Sequence, residues 1–236
     1  YIARGGNLIL LVEPETQATV QPLLDRFGVS MMTGCLAEKP VIELANVVCS
    51  RFTPEGRALF HGRHYPFGLQ ALAMNGVTAL KVTGTSDFRV VPMMESALDS
   101  WNKVGKVDWI MGPIEPDAAK GEFVGSNTTV LGLTRQVEDR EQRIFIAGDA
   151  DWMSNRELVQ GRQGFRGHSP SAMNWVLSDW MTHGQAPLYF NYPKVTDTKI
   201  STTQEGAFWV RMFLVWGIAI VLAVSGAVIC IRRNRY

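Results

Sequence analysis

The sequence predicts an α/β fold, a mainly parallel β-sheet flanked by helices, with one transmembrane helix at the C-terminal end. Three observations predict it. An apolar run (residues 7–12) is followed by a helical apolar pattern (16–27) and a second apolar run (41–49), the order of a β–α–β unit. Later, RIFIAGDADWMSN (143–155) drives an apolar run into a glycine and two closely spaced aspartates, as at the end of an α/β strand where ligands often bind. Last, residues 212–231, MFLVWGIAIVLAVSGAVICI, contain no charged side chain.

In order along the chain, residues 7–12 are almost wholly apolar and suit a strand buried on both faces; Glu13-Pro14 ends it. Val20, Leu23, Leu24 and Phe27 recur at helical spacing, and Gly28 is a natural helix stop. Residues 51–74 carry prolines and glycines without a sustained period and read as loops with a short turn or helix. Strands are expected over 77–82 and 89–93, a helical turn or loop over 95–101, and an extended piece over 107–111. Residues 128–137 are rich in β-branched residues and Leu, and a charged turn (138–141) links them to a strand over 144–147. Over 169–181, Ser169 is placed to cap, Pro170 suits the first turn, and Met173, Val176, Leu177 and Trp180 share one helical face. A last short strand is expected over 188–191. Such interleaving of strands and helices argues for a sheet covered on both faces.

The C-terminal segment sets the domain plan. A twenty-residue helix rises ~30 Å, the thickness of a bilayer's hydrocarbon core. The plan is therefore an extracytoplasmic α/β domain (1–191), a polar, Thr-rich tether (192–206), a transmembrane helix (207–231) and a basic cytoplasmic tail (232–236). Met212, Trp216 and Ile231 mark the anchor. Arg232, Arg233 and Arg235 follow at once and point the tail to the cytoplasm, outweighing Lys194, Lys199 and Arg211 on the other side. An extracytoplasmic domain needs an export signal. The opening YIARGGNLILLVEP supplies none, so upstream sequence is expected.

Charge is balanced, 23 Lys+Arg against 22 Asp+Glu, which advertises no nucleic-acid-binding face. Chemical motifs are sparse. There is no G-x-S-x-G elbow and no Walker motif; Gly34-Cys35-Leu36 lacks the strand and second glycine of a cysteine elbow, and Gly5-Gly6 precedes a strand instead of following one. His61 and His64 are spaced to chelate on a helix, but Gly62 disfavours that helix, and His168 and His183 stand apart. Cys35 and Cys49 could pair in an oxidising compartment, though sequence does not bring their Cβ atoms together. The strongest candidate is the pair Asp149 and Asp151, with Ser154 and Asn155 behind it. Residues two apart on an extended chain point the same way, so both carboxylates can face one pocket, where oxygen ligands suit Mg²⁺ or Ca²⁺. The same residues equally accept backbone N–H bonds and organise a turn, and this structural role is the expected one. No catalytic residue, metal or cofactor is expected.

Several blocks resemble GldG-like proteins, auxiliary subunits of ABC transporters first linked to bacterial gliding motility. They are YIARGGNLILLVEP; RVVPMMESALDSWNKVG, with Pro92-Met93-Met94, Ser96, Ser100 and Trp101; RIFIAGDADWMSN, with Gly148, Asp149, Asp151, Trp152, Ser154 and Asn155; and a helix with Asn174-Trp175 before the tether, span and arginines. Residues 51–76 match no block. The resemblance implies a class I glutamine amidotransferase-like or flavodoxin-like fold. It implies a non-catalytic, periplasmic component held at the inner membrane beside or fused to an ABC permease, with the ATPase on a separate subunit. The alternative is a membrane-anchored amidotransferase-like hydrolase or ligand-binding enzyme using Asp149 and Asp151 with a histidine brought in by folding. A purely structural subunit is a third possibility.

Overall fold

The computed structural model describes residues 1–39, 44–60, 69–84, 86–110, 112, 114–160, 168–185 and 203–233. The chain divides into two units, Tyr1–Leu188 and Tyr189–Tyr236.

The first unit is built on a six-stranded sheet. Its strands are β1 (Leu8–Leu11), β4 (Val47–Phe52), β5 (Ala71–Asn75), β7 (Arg89–Glu95), β9 (Thr128–Val137) and β10 (Arg140–Ala147), in the order β1-β10-β9-β7-β4-β5. Among the described strands of this sheet, β1 and β10 pair in parallel and every other neighbouring pair is antiparallel. The mainly parallel, helix-flanked sheet expected from the sequence, and with it the amidotransferase-like or flavodoxin-like fold, is therefore incorrect: the sheet is mixed, curled and accompanied by few helices. The cause lies in the connections. A parallel neighbour needs a crossover, whereas a two-residue link forces antiparallel pairing. Glu138 and Asp139 alone join β9 to β10, with Glu138 in the left-handed region at φ 53°. The first strand–helix–strand run makes no β–α–β unit either. After helix α1 (Gln17–Leu24) and a 3₁₀ turn, Gly28 reverses the chain at φ 67° into β2 (Val29–Met31). That strand pairs antiparallel with β6 (Leu80–Val82) in a separate small sheet. A second small sheet joins β3 (Cys35–Ala37) to β8 (Trp101–Lys103).

The central strands are buried on both faces. Along β10, Ile144 and Ile146 pack with Leu24, Phe27, Val29, Leu131 and Leu133, while Phe145 and Ala147 point the other way. Those join Trp152 and the buried stripe Met173, Val176, Leu177 and Trp180 of helix α4 (Pro170–Met181). Burial on this scale, at roughly 25 cal/mol per Å² of apolar surface, is what holds the layers together. Pro92 lies inside β7 beside a register shift against β9, the kind of place where a sheet tolerates a residue without an N–H.

Several local expectations hold, and others are corrected. The strand over 128–137 and the helix over 169–181 form, although Ser169 makes no side-chain cap and Pro170 opens the helix. The reading of 51–74 as loops with a short turn or helix misses the end of β4 and most of β5, while its short helix is α2 (Pro54–Leu59). No strand forms over 107–110. The apolar run 41–49 enters β4 only at Val47, residues 41–43 lying outside the described residues. The strand expected over 188–191, the tether residues 192–202, His61, His64 and Arg235 also lie outside the described residues.

β1 closes one edge of the sheet. Val12 N–H donates to the Ala147 carbonyl at 2.9 Å, so by alternation the backbone groups of Ile9 and Leu11 face outward, away from β10. Ile9 is 39% exposed, an apolar residue on an edge that no strand among the described residues pairs with.

In the second unit, Thr203 caps a helix by accepting from Gly206 N–H at 3.1 Å. The helix runs through α5 (Gln204–Met212), a π-helical segment (Phe213–Gly217) and α6 (Ile218–Arg233). Within Glu205–Arg233 an 18-residue window reaches a mean hydropathy of 2.7, and the helix is long enough to cross a membrane. Arg232 and Arg233 stand at its end.

Candidate functional site at the ends of the parallel strands

The two parallel strands end side by side, and the candidate site forms there. β10 runs into Gly148, whose backbone is crossed closely by residue 78: Thr78 N–H donates to the Gly148 carbonyl at 2.8 Å. Gly148 N–H in turn donates to the Thr129 carbonyl at 2.9 Å. A Cβ at position 148 would overlap the Thr78 carbonyl oxygen, so the motif's glycine is demanded by close backbone approach.

Asp149 follows and is fully buried. Its Oδ2 accepts from Asn75 N–H at 2.9 Å, at the end of β5, and its Oδ1 accepts from Asp151 N–H at 2.7 Å. One carboxylate thus ties the end of β5 to the turn after β10. Glu13, just past β1, completes the junction by accepting from Ala150 N–H at 2.7 Å. Asp151 is exposed; its Oδ2 lies 3.4 Å from Asn75 Nδ2, and Asn75 Oδ1 accepts from Asn46 Nδ2 at 3.0 Å. Oxygens of Glu13, Asp149 and Asp151 all lie within 4.8 Å of one another.

The two aspartates bring an oxygen each within 4.8 Å of the other, but with unequal roles, Asp149 buried and Asp151 exposed. Ser154 and Asn155 have a third: Ser154 carbonyl accepts from Leu158 N–H at 3.0 Å and so opens helix α3 (Asn155–Gln160), while Asn155 faces solvent. Glu13 escapes a sequence reading because the sheet brings it in from the other end of the domain. Its signal is an acidic residue directly after an apolar strand, matching Asp149 after β10.

Burial dominates the electrostatics. It pushes the Asp149 carboxyl up to about 7, against the lowering pull of the Asp151 amide and with help from the Glu13 charge. Glu13 is raised too, first by burial, with its bond from Ala150 N–H opposing. Clustering of three carboxylates is costly in a dry setting unless protons, amide donors or a cation compensate. Here amide N–H groups take one lone pair on each Asp149 oxygen. In type, the three carboxylates match a hard divalent cation.

Among the described residues, no histidine hydrogen-bonds to either aspartate. His168 Nδ1 instead accepts from Ala73 N–H at 2.9 Å beside β5, and its Nε2 lies 3.6 Å from Glu157 in the interior. His183 sits in the turn after α4 at φ 57°. Cys35 and Cys49 are both free thiols; burial pushes Cys35 up to about 12 and raises Cys49, the opposite of an activated nucleophile.

Comparison of the chain with known protein families, with curated proteins and with solved structures finds no match in any of the three.

Proposed function

We propose that this chain is a non-catalytic, membrane-anchored component of a transporter complex of the ABC type, seated beside or fused to a permease, with ATP hydrolysis on a separate subunit. The observation that carries the proposal is the Glu205–Arg233 helix, whose uncharged run over 212–231 makes it apolar and long enough to cross a membrane. A helix of that character needs lipid or other transmembrane helices around it. The terminal arginines, Arg232, Arg233 and Arg235, favour a cytoplasmic tail and hence a periplasmic main domain at the inner membrane.

The buried, doubly amide-bonded Asp149 supports the non-catalytic reading, because a carboxylate committed to holding two segments together is poorly placed to exchange protons with a substrate. The ABC assignment itself rests on the ordered sequence blocks and the anchor. The flavodoxin-like fold that accompanied the resemblance does not form, so fold contributes nothing to it.

Affinity purification of the full chain from its native membrane in mild detergent, with mass spectrometry of what co-purifies, tests the reading. Near-stoichiometric recovery of an ABC ATPase and permease is expected. Recovery of the chain without any ATPase would overturn it.

A further inference from the structure

We propose that the cleft between the two small sheets, lined by two lysines and an exposed phenylalanine, is a binding site for a phosphate ester. The cleft is about 470 Å³, within the ~300–1,000 Å³ range of small-molecule sites. Its donors are Lys81, Lys120, Ser30 and Thr33, and its apolar lining includes Met32 and Phe123; among the described residues no carboxylate lines it.

The charge is placed by the fold. Ser30 and Lys81 are directly opposed across β2 and β6, so they share a face of that small sheet. Lys81 Nζ lies 5.5 Å from the centre of the Phe123 ring, cation over aromatic face. Phe123 is fixed in turn, its N–H donating to Asn102 Oδ1 at 2.9 Å, with Asn102 on β8.

The segment carrying Lys120 and Phe123 is braced from beneath. Lys103 and Glu122 form a buried ion pair at 3.0 Å, and Glu122 also accepts from Val104 N–H at 2.9 Å and Asp117 N–H at 2.8 Å. Lys103 Nζ donates further to the Glu115 carbonyl at 2.7 Å. Burial alone would raise the Glu122 carboxyl, but the two amides and Lys103 outweigh it and hold it below the ordinary range. The Lys103 charge is thus consumed in bracing, while Lys81 and Lys120 remain at the cleft. Among the described residues Lys120 has one acidic partner, Asp117 at 3.7 Å, and both are well exposed, so that pair is weak.

Two ammonium groups with two hydroxyls suit a tetrahedral oxyanion, which accepts more hydrogen bonds than a carboxylate does. The half-buried Met32 and exposed Phe123 surfaces leave room for an apolar substituent. Such chemistry is common to soluble phosphate esters and to phospholipid headgroups, and the experiment separates them.

The full chain is placed in phosphatidylcholine nanodiscs, and lysine acetylation is followed by mass spectrometry while glycerol 3-phosphate is titrated in. A parallel sample uses nanodiscs containing phosphatidylglycerol with no soluble ester. Selective protection of Lys81 and Lys120, with exposed Lys39 and Lys106 unchanged, supports the site. Protection by glycerol 3-phosphate assigns a soluble ester; protection only in the anionic nanodiscs assigns a lipid headgroup. A Lys81→Gln variant should shift half-protection of Lys120 to about tenfold higher ligand. Because Lys81 is exposed, the variant is expected to fold, which circular dichroism checks. Absence of protection by either probe, or equal protection of Lys39 and Lys106, would overturn the proposal.

Discussion

Replacing Asp149 by Asn probes the buried junction with a sign that changes with pH. In the folded protein the Asp149 carboxyl titrates at about 7, against an ordinary value of 3.8. Between those values the folded state keeps a proton that the unfolded chain has released. Stability contributed by the protonated form is therefore complete below the unfolded value and is lost as pH rises through the folded one. The loss is about 1.4 kcal/mol per pH unit, about 4 kcal/mol across the window, and it levels off above about pH 7. Asn cannot ionise, so it escapes this loss. It has only one oxygen, however, and its NH₂ group must face either the Asn75 or the Asp151 amide, forfeiting a buried hydrogen bond at a cost of about 1–3 kcal/mol at every pH. The two stability curves should cross: wild type more stable near about pH 4.5, the variant equal or better near about pH 8. Glu13 is raised in both proteins and largely cancels in the difference. Urea unfolding of the full chain in detergent micelles, followed by tryptophan fluorescence across this pH range, gives both curves. A difference between wild type and Asp149→Asn that stays constant with pH would refute the buried-carboxyl reasoning.

Further outcomes follow from the same packing. Trp152 is fully buried against Phe145, ring centres 6.3 Å apart, and among the described residues its Nε1 has no hydrogen-bond partner. Trp152→Ala should cost about 3–5 kcal/mol in chemical unfolding, and Trp152→Phe much less, since Phe removes an unsatisfied donor. Gly148→Ala should cost about 1–3 kcal/mol or more, read as a lowered Tm, because the new methyl meets backbone that cannot rotate away. Glu122→Ala strands Lys103 and two amides in the interior and should cost about 3–5 kcal/mol by the same unfolding assay. At the open edge of the sheet, Ile9→Lys should reduce any concentration-dependent self-association seen by light scattering, at little cost in stability.

Local pattern was legible wherever the chain decides structure locally. Residues 128–137 carry enough β-branched and aliphatic character to declare β9 to both ends, and the apolar stripe of 169–181 declares α4. Sheet order was not legible in the same way. The charged turn at 138–141 was visible, but its reduction to Glu138-Asp139, with a left-handed Glu, is what commits β10 to antiparallel pairing with β9. Short strands such as β2, β3 and β8, each of three residues, carry too little periodicity to separate from loop. At the candidate site, Asp149 and Asp151 stood out, whereas their inequality did not. The chain leaves extended geometry at Asp149 and enters a 3₁₀ turn at Asp151, so one carboxylate goes into the core and the other to solvent. Glu13 could be found only through the β1–β10 pairing, a long-range contact.

Membrane contact by the apolar helix is the most direct point at which to test the proposed role. A photo-crosslinking amino acid placed in turn at Ala219, Ala223 and Ala227, one small-residue face of the helix, is activated in native membranes and the adducts are sequenced. The transporter reading predicts adducts to transmembrane segments of an ABC permease from at least one of these positions. Adducts only to lipid from all three, in membranes where the chain is abundant, would contradict it.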